Sequence, residues 1–246
     1  MSFCCAAECQ FGPKIAERDL QLYRRRGADT VTKLMLAQLR RWPLQNTQLL
    51  NIGGGIGAIS AELAADGIAG ATLVEASSAY LEVARRELQS RYGSRSTKFL
   101  LGDFARIADM LPDADVITLD RVVCCYPDAE TLLRGAAART RQLLAFSYPR
   151  DRWYMRVITA FQNFLRRLRG NEFRTFVHSP QQMSAELQRA GLVRIATHGT
   201  LVWVVDLYRR EGDIPNTLDE IAGASGKFPQ LVGQGQPLGV RAEVRA

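Results

Sequence analysis

The stretch Leu49-Leu50-Asn51-Ile52-Gly53-Gly54-Gly55-Ile56-Gly57-Ala58 constrains this chain more than any other. A short apolar run enters four glycines within five positions and leaves as a helical pattern. Glycine reaches backbone angles closed to other residues and carries no side chain, so such a cluster marks a turn where a ligand lies against the main chain. The same punctuation recurs downstream. Apolar runs at residues 48–52, 71–75, 97–101, 115–119, 143–148, 192–196 and 201–207 alternate with helical stretches at 56–65, 79–90, 129–141 and 180–190. Strand and crossover helix in alternation predict an α/β fold with a doubly wound, mostly parallel sheet of seven strands. A short His198-Gly199 turn joins the last two runs, too little for a crossover, so the sheet is expected to end in an antiparallel hairpin. Ahead of the sheet, residues 16–42 have helical spacing split at Gly27, with Asp29-Thr30 as an N-cap signal and Pro43 as a stop.

The composition, 47% hydrophobic and 23% charged over 246 residues, fits one packed domain and excludes wholesale disorder or a collagen-like chain. The domain is expected at 16–211, after a cysteine-containing segment at 1–15 and before a loosely ordered Gly-, Pro- and Gln-rich tail at 212–246. No run approaches the roughly 20 apolar residues of a membrane helix, and the N-terminus lacks an export signal, so a cytoplasmic protein is expected. Five cysteines do not suggest a disulfide framework, and the adjacent pairs Cys4-Cys5 and Cys124-Cys125 lack zinc spacing, so no metal site is expected. The net charge of +7 rests on arginine pairs scattered among acids, which reads as a solvated surface more than a nucleic-acid footprint.

Three acids follow the glycine turn at the ends of successive strands: Glu75, Asp103 with Phe104 beside it, and Asp120. In an open α/β sheet such strand ends converge on one crevice. The turn also satisfies G-x-G-x-x-A, so on residue pattern alone a dinucleotide is a fair competitor, and the helix N-terminus suits a phosphate or, equally, a carboxylate.

With these residues the sequence resembles the class I S-adenosylmethionine-dependent methyltransferases over roughly residues 16–210. Their glycine motif, acid-x-G-x-G-x-G, is matched by Gly53, Gly55 and Gly57, with Asn51 in place of the leading acid. The resemblance implies a Rossmann-like sheet and S-adenosyl-L-methionine held by Asn51, Gly53, Gly54, Gly55, Gly57, Glu75, Ala76, Asp103, Phe104 and Asp120. In it Glu75 meets ribose, Asp103 meets adenine and Asp120 faces the substrate side. A narrower likeness, carried by Asp19-Leu20, Tyr23-Arg24-Arg25-Arg26-Gly27 and the run Asp120-Arg121-Val122-Val123-Cys124-Cys125-Tyr126-Pro127-Asp128, is to a bacterial group distantly resembling magnesium-protoporphyrin O-methyltransferases.

The acceptor side is less defined. Residues 153–168 form an amphipathic basic helix expected to wall an acceptor pocket with Tyr154, Phe161 and Phe164, packing on the sheet or lying on a membrane surface being its other readings. Tyr23, Arg25, Tyr126 and Tyr154 are expected to shape the cover. His178 is the first candidate base, with Tyr154 second in the catalytic set, and His198 is read as inert in its turn. Thiolates at Cys124 and Cys125 reaching a soft metal or metalloid acceptor are a further reading. The expected activity is methyl transfer from S-adenosyl-L-methionine to a small molecule, large and aromatic or lipophilic. A nucleic-acid methyltransferase, a NAD(P)-dependent oxidoreductase and a non-enzymatic cofactor-binding module are the rivals.

Overall fold

The computed structural model describes residues 8, 10–92 and 97–212. Cys4, Cys5, Cys9 and the expected tail beyond Gly212 lie outside the described residues. Helices α1 (Pro13–Arg26) and α2 (Thr30–Leu39) come first. Gly27 at φ 73 ends α1, and the Asp29 carboxylate starts α2 by accepting from the Val31 and Thr32 amides at 2.9 and 3.2 Å. The alternation then runs β1 (Gln48–Ile52), α3 (Ala58–Ala65), β2 (Gly70–Glu75), α4 (Ser78–Tyr92), β3 (Thr97–Leu101), the short α5 (Phe104–Ile107), β4 (Ala114–Leu119), α6 (Ala129–Arg139), β5 (Thr140–Pro149), α7 (Trp153–Leu168), α8 (Pro180–Arg189), β6 (Leu192–Gly199) and β7 (Trp203–Arg210). Two 3-10 turns, Ala108–Met110 and Val123–Cys125, complete it.

The seven strands lie in the order β3-β2-β1-β4-β5-β7-β6, with β1 to β5 parallel and β7 antiparallel to both of its neighbours. This is the doubly wound Rossmann-like sheet expected from the sequence. The order reverses between β1 and β4, the switch point at whose carboxyl edge ligands bind in such sheets. Each face carries its own core. Leu20, Met35, Leu39, Leu63 and Leu88 pack under α1 to α4, and Phe104, Leu132, Leu133 and Leu187 under α5, α6 and α8. At roughly 1.5–3 kcal/mol per buried large side chain, these two layers fix the strand ends that carry the site.

Three expectations change. His198 is not in the hairpin turn; it lies in β6 opposite Val205, and the turn is residues 200–202, where the Thr200 hydroxyl accepts from the Val202 and Trp203 amides. Strand β6 therefore runs past its apolar run, through Thr197, His198 and Gly199, which carry no apolar side chain to signal it. Helix α5 is an addition, started by Asp103 as N-cap. The third change is larger: neither core cluster contains a residue of α7, whose apolar stripe faces outward.

Candidate active site

At the end of β1 the Gly53 and Gly54 amides both donate to the Val74 carbonyl, at 2.8 and 3.2 Å, folding the turn against β2. Gly53 (φ 59), Gly55 (φ 55) and Gly57 (φ 82) hold left-handed angles that side chains rarely adopt. A Cβ on Gly53 would fall 2.4 Å from Val122 Cγ2, and one on Gly54 would fall 2.5 Å from Leu73 Cγ. The turn thus exposes bare main chain to two adjoining cavities. One, about 340 Å³, extends from the turn toward Phe104, Tyr126 and Trp203. The other, about 540 Å³, lies between the turn and α1–α2. Both are bordered by Asp19, Gly53, Gly55, Tyr80, Asp120 and Arg121, so they form two arms of one site.

The carboxylates divide by what already holds them. Glu75 accepts three backbone bonds of 2.9 Å, from Gly55 on Oε2 and from Ala76 and Ser77 on Oε1. Burial pushes its carboxyl up, against the pull of those amides. It therefore braces the glycine turn, and of four lone-pair positions one on Oε2 remains for a ligand hydroxyl. Asp103 caps α5 by accepting from the Ala105 amide at 3.1 Å; the larger influence on its pKa is burial, which raises it. The smaller cavity is lined by its neighbours Gly102 and Phe104 and not by Asp103 itself. Asn51 is spent internally, donating to Ser60 Oγ at 3.0 Å and accepting from Thr118 Oγ1 at 3.1 Å. Asp120 accepts from Thr32 Oγ1 at 2.6 Å and Ser147 Oγ at 2.7 Å. Beside it Arg121, at φ 60, pairs with Asp29 at 2.7 Å and Asp120 at 3.2 Å.

One carboxylate in the site belongs to the narrower likeness, which gives it no role. Asp19 on α1 borders both arms and accepts from the Tyr80 hydroxyl at 2.5 Å. Burial, then Asp19, hold the Tyr80 hydroxyl well above the usual tyrosine range. Phe11 is also new: it lines the smaller cavity, sits edge-on to Tyr80 at 5.7 Å and to Phe173 at 5.1 Å, and its carbonyl accepts from Ser77 Oγ at 2.7 Å. The cover is therefore an aromatic row from distant parts of the chain. Of the expected cover residues, Tyr126 borders the smaller arm and Tyr23 the larger, whereas Arg25 is exposed and Tyr154 lines neither.

A methyltransferase domain family matches residues 50–142, which hold the glycine turn and all three strand-end acids. The chain carries an S-adenosylmethionine-dependent methyltransferase domain. Its fold is shared by the crystal structure of magnesium protoporphyrin IX methyltransferase from Synechocystis PCC 6803 with bound SAH, at TM-score 0.65 and 16% identity over 83% of this chain and 98% of that one. An O-methyltransferase family protein from Burkholderia thailandensis is similar at TM-score 0.64 and 13% identity, over 85% of this chain and 64% of that one. No curated protein matches the chain in sequence.

Neither residue of the expected catalytic pair is among the lining of the two cavities. His178 Nε2 is 2.8 Å from the Tyr126 carbonyl oxygen, and burial holds its pKa below the usual histidine value. With the adjacent bond from the Phe176 amide to the Cys124 carbonyl at 2.7 Å, it straps residues 173–178 to the loop after β4. The Tyr154 hydroxyl donates to the Leu201 carbonyl at 2.7 Å. Both were read from position in sequence, and neither lines the site. Cys124 and Cys125 do line the smaller arm, with their Sγ atoms 3.7 Å apart; the neighbouring thiol, then burial, push Cys125 up, so it is a neutral thiol wall. No group of three or more His, Cys, Asp or Glu residues placed to hold a metal occurs among the described residues. Trp203, which also borders this arm, was hidden by its distance in sequence from every motif.

Proposed function

We propose that the methyltransferase acts on a small lipophilic or aromatic acceptor bound in the arm between the glycine turn and Trp203. The observation that carries this is the lining: past the glycines, Glu75, Asp19, Asp120 and Arg121, that arm is walled by Phe11, Ile52, Val122, Tyr126, Trp203 and the side chains of Cys124 and Cys125. The residues suit the cofactor, since the cradle is one a Cβ would fill and a buried carboxylate with one spare lone pair stands beside it. In this reading Glu75 takes a ribose hydroxyl, Phe104 offers its ring to adenine, and the amides opening α3 face the methionine carboxylate. Asp19, a carboxylate that also meets Arg18 at 3.0 Å and the Tyr80 hydroxyl, receives the methionine ammonium, because Asn51, where the motif carries its acid, is neutral. Asp120 stays with Arg121, Thr32 and Ser147 as the rigid floor.

S-adenosyl-L-methionine supplies a methyl group already activated by its sulfonium. The chain's contribution is then alignment: the apolar walls exclude water and hold the acceptor atom against the turn, which is worth about 7–11 kcal/mol when the geometry is right. No His178 general base is invoked. The test incubates the full chain with methyl-labelled cofactor and a fractionated cell extract, then separates organic-soluble, aqueous and RNA fractions. Label in the organic-soluble fraction is expected; label confined to RNA or to polar metabolites overturns the acceptor class while leaving the cofactor intact.

A further inference from the structure

Helix α7 is mounted with its apolar side away from the protein. Trp153, Val157, Phe161, Phe164 and Leu168, spaced four, four, three and four residues apart, are each between 55% and 77% exposed. At about 100° per residue they form one stripe, and Met155, Thr159, Asn163 and Arg166 form the opposite side. That opposite side is anchored. Met155 and Thr159 are buried. Asn163 Nδ2 donates to the Thr175 carbonyl at 2.7 Å and its Oδ1 accepts from the Thr175 amide at 3.0 Å. Arg166 donates to Thr175 Oγ1 at 3.1 Å and lies over the Phe173 ring. Rotating the helix to bury its stripe would break all of these, so the outward face is fixed by the fold. The β6–β7 tip extends it, since Tyr154 ties itself to Leu201, and Leu201 is 86% exposed.

The charge around the stripe is mostly of one sign, with Asp151, just ahead of the helix, paired with Arg156 at 2.8 Å. Residues 152–170 contain Arg152, Arg156, Arg166, Arg167 and Arg169 and no acid. On the helical net Arg156 and Arg167 border the stripe on one flank and Arg169 lies toward the other. A second copy seated here would set Arg167 and Arg169 against their own equivalents, with no acid within residues 152–170 to neutralise them. An apolar stripe of Trp, Phe and Leu bordered by arginine matches the boundary between acyl chains and anionic headgroups. No helix among the described residues is long and apolar enough to cross a membrane.

We propose that α7, with the Leu201-Val202 tip, seats the methyltransferase on an anionic lipid surface, its stripe sunk to the acyl boundary and its arginines on lipid phosphates. This goes beyond the acceptor reading and does not rest on it. The experiment is co-sedimentation of the full chain with phosphatidylcholine vesicles, with and without phosphatidylglycerol, for wild type and the Phe161→Ser/Phe164→Ser double variant. S-adenosylhomocysteine affinity serves as the control for folding. Wild type is expected to bind the anionic vesicles at least about tenfold more tightly than the neutral ones, since each basic residue near such a surface adds to the attraction. The double variant should lose most of that binding and keep its affinity for S-adenosylhomocysteine. Equal or absent binding to the two vesicle types by wild type overturns the proposal. So does vesicle binding that the double variant retains, a dimer that it converts to monomer, or tighter binding to RNA than to anionic vesicles.

Discussion

The glycine turn and helix α7 stand on the same molecule and solve opposite problems. In the turn, recognition is built from main chain: Gly53, Gly55 and Gly57 hold left-handed angles, Glu75 gathers three amides, and Val122 and Leu73 pack too close to Gly53 and Gly54 for a Cβ. In α7 the main chain is an ordinary helix and everything depends on which side of it is anchored. The difference teaches where a function can be read. A backbone cradle needs particular residues at particular steps, whereas an amphipathic helix states that one side is apolar and not what meets it.

The comparison breaks most readily at Gly54. An added Cβ would meet Leu73 Cγ at 2.5 Å and Cδ1 at 2.8 Å, and Leu73 is fully buried, so Gly54→Ala must shift the turn or the core. Overpacking of this kind costs about 1–3 kcal/mol. We expect a lower Tm and a loss of S-adenosylhomocysteine affinity of at least about 100-fold by calorimetry, given the displaced amides. Affinity like that of wild type would mean that the cradle is not made of backbone.

Glu75→Gln is next. One amide oxygen cannot replace a carboxylate that serves three donors, and bonds to charged groups contribute about 1.5–3 kcal/mol. A fall of roughly 10–100-fold in S-adenosylhomocysteine affinity should accompany a lower Tm, because the side chain braces the turn and, in the proposed reading, takes a ribose hydroxyl. Asp19→Asn should lower affinity for S-adenosylhomocysteine by about tenfold and leave methylthioadenosine, which lacks the amino-acid end, unaffected. Equal loss for both ligands would move Asp19 from the ammonium to a general structural role.

The smallest effect concerns acid stability on the α7 side. His178 is held below the ordinary histidine value of 6.5 by burial, so the unfolded chain binds its proton more readily. Its contribution is intact above that pH and is lost as pH falls below it. In His178→Gln the decline of Tm on the acid side should become shallower; an unchanged slope would show that the buried ring does not contribute to it.

What the sequence revealed follows the same division. The alternation of apolar runs and helices gave the seven strands, and the glycines and strand-end acids pointed to one crevice, because each is a local pattern with a local cause. Asp103 and Glu75 were found as acids, but their second roles as a helix cap and a turn brace depend on where neighbouring amides point. Phe11, Asp19 and Trp203 come from three distant segments and meet only after folding, so no spacing announces them. Arg121 adopts φ 60 without a glycine to signal it. The stripe of α7 was legible, and its outward direction was not, because Asn163 and Arg166 gain their partners from residues 173–175 only in the folded chain.

Hydrogen exchange of the full chain with and without S-adenosylhomocysteine separates the two regions in one measurement. Protection should rise at residues 53–59, 75–77 and 102–105 and on α1 around Asp19, while residues 153–168 exchange as before. Protection concentrated on residues 153–168, with the glycine turn unchanged, would contradict the account.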